Sequence, residues 1–158
     1  MHRILFVCLG NICRSPAAEA VLRHAALTSG WDSELLLIDS AGTGDWHLGA
    51  LPDARMRRAG SLRGLTLDHR ARLFSESDFG QFDQIITMDD SNYNNVVKLA
   101  PSPEARLKVV RFVSFCQHFT LGEVPDPYHG SDADFDHVLD ILADGCSCIL
   151  ARLATSAP

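Results

Sequence analysis

Arg3-Ile-Leu-Phe-Val-Cys8-Leu-Gly-Asn-Ile-Cys-Arg14-Ser-Pro16 decides the fold. Its first part, Arg3 to Val7, is a short apolar run rich in strand formers, the kind buried on both faces of a parallel sheet. Its last part, Ser15-Pro16, starts a helix: the hydroxyl can cap, and proline is pre-set for the first helical position. Ala17, Val21, Leu22 and Ala25 continue as an apolar stripe at helical spacing. A strand, a tight loop and a capped helix surround an anion with backbone N–H groups, with the helix dipole behind them.

The loop opens with Cys8 and closes with Arg14, with five residues between them. A thiol at a strand end, looking into a ring of N–H groups, sits in a field that favours the thiolate, the form that attacks phosphorus. Arg14 offers a planar fork that grips two phosphate oxygens at once, a geometry lysine lacks. Gly10 permits a loop conformation that a Cβ resists. Asn11 can hold the loop with side-chain hydrogen bonds, and the Ser15 hydroxyl can donate to the cysteine sulfur. Leu9, Ile12 and Cys13 complete the ring. Neither Gly-Lys-Ser/Thr nor G-x-G-x-x-G occurs here, which disfavours a nucleotide.

Outward from this stretch, strands and helices alternate. Leu35 to Ile38 is a second strand candidate, followed by Asp39-Ser40 and a loop with Gly42, Gly44 and Gly49 that carries Trp46 and His47. Asp53 to Ala59 reads as a helix stopped by Gly60. Gln84 to Met88 is a third strand, and a polar start at Asp89-Asp90-Ser91 leads into a helix through Val96, Val97 and Leu99, ended by Pro101. Leu107 to Phe112 is a fourth strand. Phe135, Val138, Leu139, Leu142, Cys146, Ile149, Leu150 and Leu153 trace one face of a long closing helix. This order predicts an α/β fold with a parallel sheet, in one domain over residues 1–158.

A chain of 158 residues buries one substantial core without staples. No apolar run reaches the roughly 18 residues of a spanning helix, which argues against membrane insertion. The short apolar run after Met1-His2-Arg3 has no cleavage site behind it, so a cytoplasmic location is expected. Five cysteines, an odd set, point to reduced thiols rather than a disulfide framework. Zinc would need two close ligand pairs, and Cys146 and Cys148, two apart on a helix, point to different faces; no metal is expected. A net charge of −6 disfavours wholesale nucleic-acid binding. Six of the fourteen basic residues fall between Arg55 and Arg72, and seven of the twenty acids between Glu123 and Asp144. Both read as solvated surface, the basic group alternatively as a rim that attracts an anionic substrate.

Cys8-Leu-Gly-Asn-Ile-Cys-Arg-Ser-Pro-Ala-Ala-Glu19 resembles the signature of the low-molecular-weight protein tyrosine phosphatases. The resemblance continues through Asp39-Ser40-Ala41-Gly42 and Asp68-His69-Arg70-Ala71-Arg72 to Asp126-Pro127-Tyr128. It implies a four-stranded parallel sheet flanked by helices on both faces, with the phosphate loop after the first strand. It also implies metal-independent, cofactor-free hydrolysis of phosphotyrosine on proteins, and of small aryl phosphates, through a phosphocysteine. In that scheme Cys8 is the nucleophile and Arg14 with the loop N–H groups cradles the phosphoryl oxygens. Asp126 is the general acid and then the base for the hydrolytic water. Taken alone, an aspartate before proline is a turn residue; the family's acid loop gives it this role.

Trp46 and Tyr128 match the two walls of a slot deep enough for phosphotyrosine and too deep for phosphoserine. Outside the family, a loop tryptophan packs. Ser40 and His69 match positions that support the loop, although His69 by itself reads as a buried, satisfied histidine. Cys13 matches a cysteine that can pair reversibly with the nucleophile under oxidation, and is otherwise a small core residue. The family often has a second tyrosine after Tyr128; here His129 stands there. Expected partners are phosphotyrosine proteins, with a tyrosine kinase as the opposing enzyme, and the size suits a monomer or weak dimer.

Three rivals carry less. Arsenate reduction on the same fold needs further cysteines near the middle of the chain, and Asp89 to Ala100 contains none. Protein-arginine phosphatases resemble this loop but carry Thr where Ile12 stands, and the larger side chain crowds phosphoarginine. A catalytically dead phosphate-binding module would not require every catalytic position to be intact.

Overall fold

The computed structural model describes residues 1–155; positions 156–158 of the expected domain lie outside the described residues. Four strands form one parallel sheet: β1 (His2–Cys8), β2 (Leu36–Gly42), β3 (Gln84–Thr87) and β4 (Val109–Arg111), in the order β2-β1-β3-β4. Alternation along β1 divides the core. Ile4, Phe6 and Cys8 face α1 (Arg14–Thr28), α2 (Ala54–Ser61) and α6 (Asp132–Thr155). Leu5 and Val7 face the short helix α3 (Asp78–Gln81), α4 (Asp90–Lys98) and α5 (Pro103–Leu107), through Phe79, Val96 and Ala105. Helices therefore flank both faces, as expected for a parallel sheet.

Chain connections from β1 and β2 swing to opposite sides of β1, so the sheet's topological switch lies between β1 and β3. Ligands of such sheets bind outside the carboxyl ends of the strands at this point. The 8–13 loop occupies that position. Gly42 at the end of β2 faces it so closely that a Cβ would lie 2.8 Å from the Leu9 carbonyl oxygen. A side chain there would push the loop away from the sheet.

Local chemistry explains where the elements depart from the sequence reading. Helix α1 begins at Arg14, two residues before Pro16, and Cys13 at its cap position offers no side-chain bond. Ser15 does not cap because its hydroxyl is engaged inside the loop. Strand β2 runs on through Asp39-Ser40-Ala41-Gly42, paired with β1 up to Cys8. Strand β4 is shorter than expected because Ser102 caps α5, its Oγ accepting from the Ala105 N–H at 3.1 Å. That helix takes Leu107, and Phe112 starts a 3-10 turn (Phe112–Phe115). Helix α2 continues past Gly60 to Ser61. Cys146 and Cys148 are both buried on α6, and all five cysteines are free.

The two charge clusters of the sequence meet each other. Arg58 pairs with Asp132 at 3.6 Å, and Arg63 with Asp136 at 3.5 Å and Asp140 at 2.8 Å, along the α2–α6 seam. Arg72 pairs with Asp39 and Asp78. None of the arginines from Arg55 to Arg72 lines the phosphate-loop cleft itself, although Arg55 bonds the carbonyl of Tyr128 at its rim. Among the described residues, no helix is long and apolar enough to cross a membrane.

Candidate active site

Residue Cys8 ends β1 with its sulfur 3.0 Å from Ser15 Oγ, the first turn of α1 facing the strand end. Between them the loop is held by Asn11. It is the one non-glycine residue among those described with a positive φ, 54°. Asparagine tolerates this left-handed backbone better than most side chains. Its Nδ2 donates to Ser15 Oγ (2.9 Å) and Ser40 Oγ (3.0 Å). Its Oδ1 accepts from the Arg72 N–H (2.9 Å) and lies 3.1 Å from His69 Nε2. Gly10, expected to supply the special conformation, is instead limited by space: a Cβ there would lie 3.1 Å from the His47 ring.

Behind Asn11 stands a buried polar network. Ser40 Oγ donates to Glu19 Oε2 at 2.7 Å. His69 Nδ1 lies 3.3 Å from Glu19 and 3.6 Å from Asp39. Burial pushes the Glu19 carboxyl up, while Ser40, His69 and Arg23 favour its charge. Donor atoms of Glu19, Asp39 and His69 lie within 4.8 Å of one another, a spacing a cation could use. Arg23 on Glu19 (2.6 Å) and Arg72 on Asp39 (2.8 Å) already place positive charge against both carboxylates. Ser40 and His69, expected to support the loop, both lie in hydrogen-bond contact with Asn11. Glu19, Asp39 and Arg72 belong with them, although periodicity and caps gave no sign of it.

Opposite the loop, Arg14 is buried and forked. Nη1 donates to Asp89 Oδ2 (2.7 Å) and to the Val124 carbonyl (3.1 Å); Nη2 lies 3.4 Å from Asp126 Oδ2. Burial works against its charge, yet the Cys8 sulfur, Asp89 and Asp126 hold the guanidinium above its usual range. Asp89 was legible only as a helix cap. Its Oδ1 does cap α4, accepting from the Asn92 N–H at 2.8 Å, while Oδ2 orients Arg14. One carboxylate serves both.

Cys8, Leu9, Gly10, Ile12, Cys13, Arg14, Trp46, His47, Asp126, Tyr128 and His129 line a cleft of about 260 Å³. Asn11 and Ser15 support it from behind. Trp46 is 69% exposed, its indole lying against Gly44, where a Cβ would overlap the ring. Tyr128 stands across the mouth, 6.2 Å from the His47 ring and 5.0 Å from His129 (centroid distances). His47 and His129, to which the sequence assigned no role, complete the rim. Burial, then the charges of Asp53 and Cys8, push the Cys13 thiol up.

The pattern that defines the family described as low molecular weight phosphotyrosine protein phosphatase matches residues 3–157. This chain belongs to that family. It is 40% identical to the low molecular weight phosphotyrosine protein phosphatase of Schizosaccharomyces pombe, over 96% of this chain and 97% of the relative. A crystal structure of the protein tyrosine phosphatase from Entamoeba histolytica, with Hepes in its active site, superposes with a TM-score of 0.94 at 41% identity, covering 98% of both chains. The Drosophila arginine phosphatase superposes at 0.89 with 30% identity, over 98% of this chain and 99% of its own.

Proposed function

We propose that this chain is a metal-independent protein tyrosine phosphatase in which Cys8, Arg14 and Asp126 do the chemistry. The observation that carries the reading is their convergence. Arg14 and Asp126, 112 residues apart, lie 3.4 Å from each other in the cleft that the Cys8 sulfur opens into.

The Cys8 thiolate attacks phosphorus and the bond from phosphorus to the tyrosine oxygen breaks. The Arg14 fork and the N–H groups of residues 9 to 14 hold the equatorial oxygens, preorganised for the charge of the transition state. Asp126 gives its proton to the departing phenolate. A water then attacks the phosphocysteine, Asp126 takes its proton, and the sulfur leaves as thiolate toward the Ser15 hydroxyl, 3.0 Å away. Asn11 donates to Ser15 Oγ, so that hydroxyl's own proton is directed either to the Ala41 carbonyl oxygen, 3.3 Å away, or to the sulfur, which lies closer.

Trp46 and Tyr128 sandwich the phenyl ring, and Ile12 on the cleft wall disfavours phosphoarginine. A thiol nucleophile works best in a reducing compartment. We therefore place the enzyme in the cytoplasm, as a single functional domain acting on phosphotyrosine proteins opposite a tyrosine kinase, as a monomer or weak dimer.

The deciding experiment is turnover on matched phosphotyrosine, phosphoserine and phosphoarginine peptides, without metal, beside Cys8→Ser and Asp126→Ala. Activity on phosphotyrosine alone, abolished by the first change and cut by about 10² or more by the second, supports the assignment. Preference for phosphoarginine would overturn the reading of Ile12 and the rim.

A further inference from the structure

Arg55 does not line the cleft, yet its guanidinium joins the parts that build it. Nε and Nη2 fork onto Asp53 at 3.1 and 2.9 Å. Nη2 also donates to the backbone carbonyl of Tyr128 at 2.9 Å. The guanidinium carbon lies 4.6 Å from the centre of the Phe135 ring, at the start of α6, and 5.6 Å from that of Tyr128. Asp53 reaches the phosphate loop, its N–H donating to the Ile12 carbonyl at 2.8 Å. At the other end, the Tyr128 N–H donates to Asp126 Oδ1 at 3.1 Å. A continuous line of bonds therefore runs from the phosphate loop through Asp53, Arg55 and Tyr128 to the Asp126 carboxylate.

We infer that Arg55 is a positioning residue for proton transfer by Asp126, setting the acid loop against the phosphate loop. The inference rests on the phosphatase reading above. Asp126 is part-exposed and has two side-chain holds: the Tyr128 N–H on Oδ1 and the 3.4 Å contact of Oδ2 with Arg14. A bound phosphoryl group draws the Arg14 fork toward itself. The Tyr128 N–H is then the hold that remains, and Arg55 is what pins Tyr128. Lysine cannot make this contact set, because the fork onto Asp53, the bond to the carbonyl and the stacking on Phe135 need a planar guanidinium. Small misplacements of a catalytic group carry large rate losses.

The test compares two substrates that differ in their need for the proton. Tyrosine leaves as a phenolate whose pKa is about 10 and needs general acid; 2,4-dinitrophenolate leaves without it. The parameter is kcat/KM, which covers the steps through phosphoryl transfer to Cys8. Wild type, R55M, R55K and D126N are measured on phosphotyrosine and on 2,4-dinitrophenyl phosphate. R55M is expected to lose about tenfold on phosphotyrosine and less than about twofold on the activated ester. D126N should show the same selectivity at larger size, and R55K an intermediate one. Equal losses of R55M on both substrates would overturn the inference, since they mean damage to the phosphate loop alone; no loss on either would overturn it as well. Should R55M fail to fold, R55K decides by the same ratio. Wild type inactive on both substrates would instead sink the phosphatase reading itself.

Discussion

At the scale of single residues, the site depends on side chains whose work is done through other side chains. Asn11 combines a left-handed backbone with hydrogen-bond contacts to Ser15, Ser40, His69 and Arg72. Asn11→Ala and Asn11→Gly should both lower kcat/KM for phosphotyrosine by about tenfold or more, because neither orients Ser15. The glycine variant should be the more stable of the two by about 1 kcal/mol, since it adopts a positive φ without a Cβ conflict. Thermal melts beside the kinetics separate the contributions, and alanine as stable as glycine would mean the backbone is not under this constraint. Asp89 is the matching case for Arg14. Asp89→Ala leaves a buried guanidinium without its shortest partner, a loss on the order of 3 kcal/mol in stability. Inhibition by inorganic phosphate should weaken about tenfold as the fork loses its orientation. Unchanged phosphate inhibition would show that Val124 and Asp126 suffice to aim it.

At the scale of elements, packing overrides propensity in α6. Gly145 lies in the middle of this 24-residue helix. Alanine in a helix interior is normally better than glycine by about 1 kcal/mol. Here a Cβ would overlap the ring of Phe112, which is fully buried and has nowhere to go. Gly145→Ala should therefore destabilise the protein, by about 1–3 kcal/mol, as read from urea unfolding. A stabilised variant would mean that Phe112 has room to shift. The same ring explains why β4 stops where it does, since Phe112 leaves the strand to fill the space under α6. Residue-by-residue hydrophobicity over Leu107 to Phe112 reads as one strand, and only the Ser102 cap and this packing divide it into helix, strand and turn.

For the whole molecule, one long-range ion pair and two local carboxylate holds make stability depend on acid. The Arg3 side chain holds the Asp83 carboxyl below its usual range, joining β1 to the start of β3. Arg55 does the same for Asp53, and the Ser131 backbone and hydroxyl for Asp134. A depressed carboxyl contributes stability that is present above its unfolded pKa, about 4, and is lost as pH falls through the folded value. Glu19, raised by burial, acts in the opposite sense: its contribution is complete at low pH and is lost as pH rises through its folded value. Unfolding free energy should therefore fall as pH drops below about 4, and Asp83→Asn should flatten that fall. An unaltered slope between variant and parent would show that the Arg3 pair does not couple folding to protons.

What the amino-acid sequence determined by itself is the chemistry confined to contiguous chain. Cys8, the loop and Arg14 sit on one strand–loop–helix unit, where the spacing and the apolar run are local, and the stripe of α6 is visible for the same reason. The sequence also carried Asp126, through its resemblance to a family rather than through any local physics. Tertiary structure alone decided that Asp89 bonds Arg14, that Glu19 joins Ser40 and His69 behind Asn11, and that Arg58 and Arg63 neutralise acids of α6. These pairings depend on the order β2-β1-β3-β4, which sets the ends of β1 and β3 side by side. Hydrogen bonds and ion pairs act over about 3–4 Å, whereas Arg14 and Asp126 lie 112 residues apart in the chain.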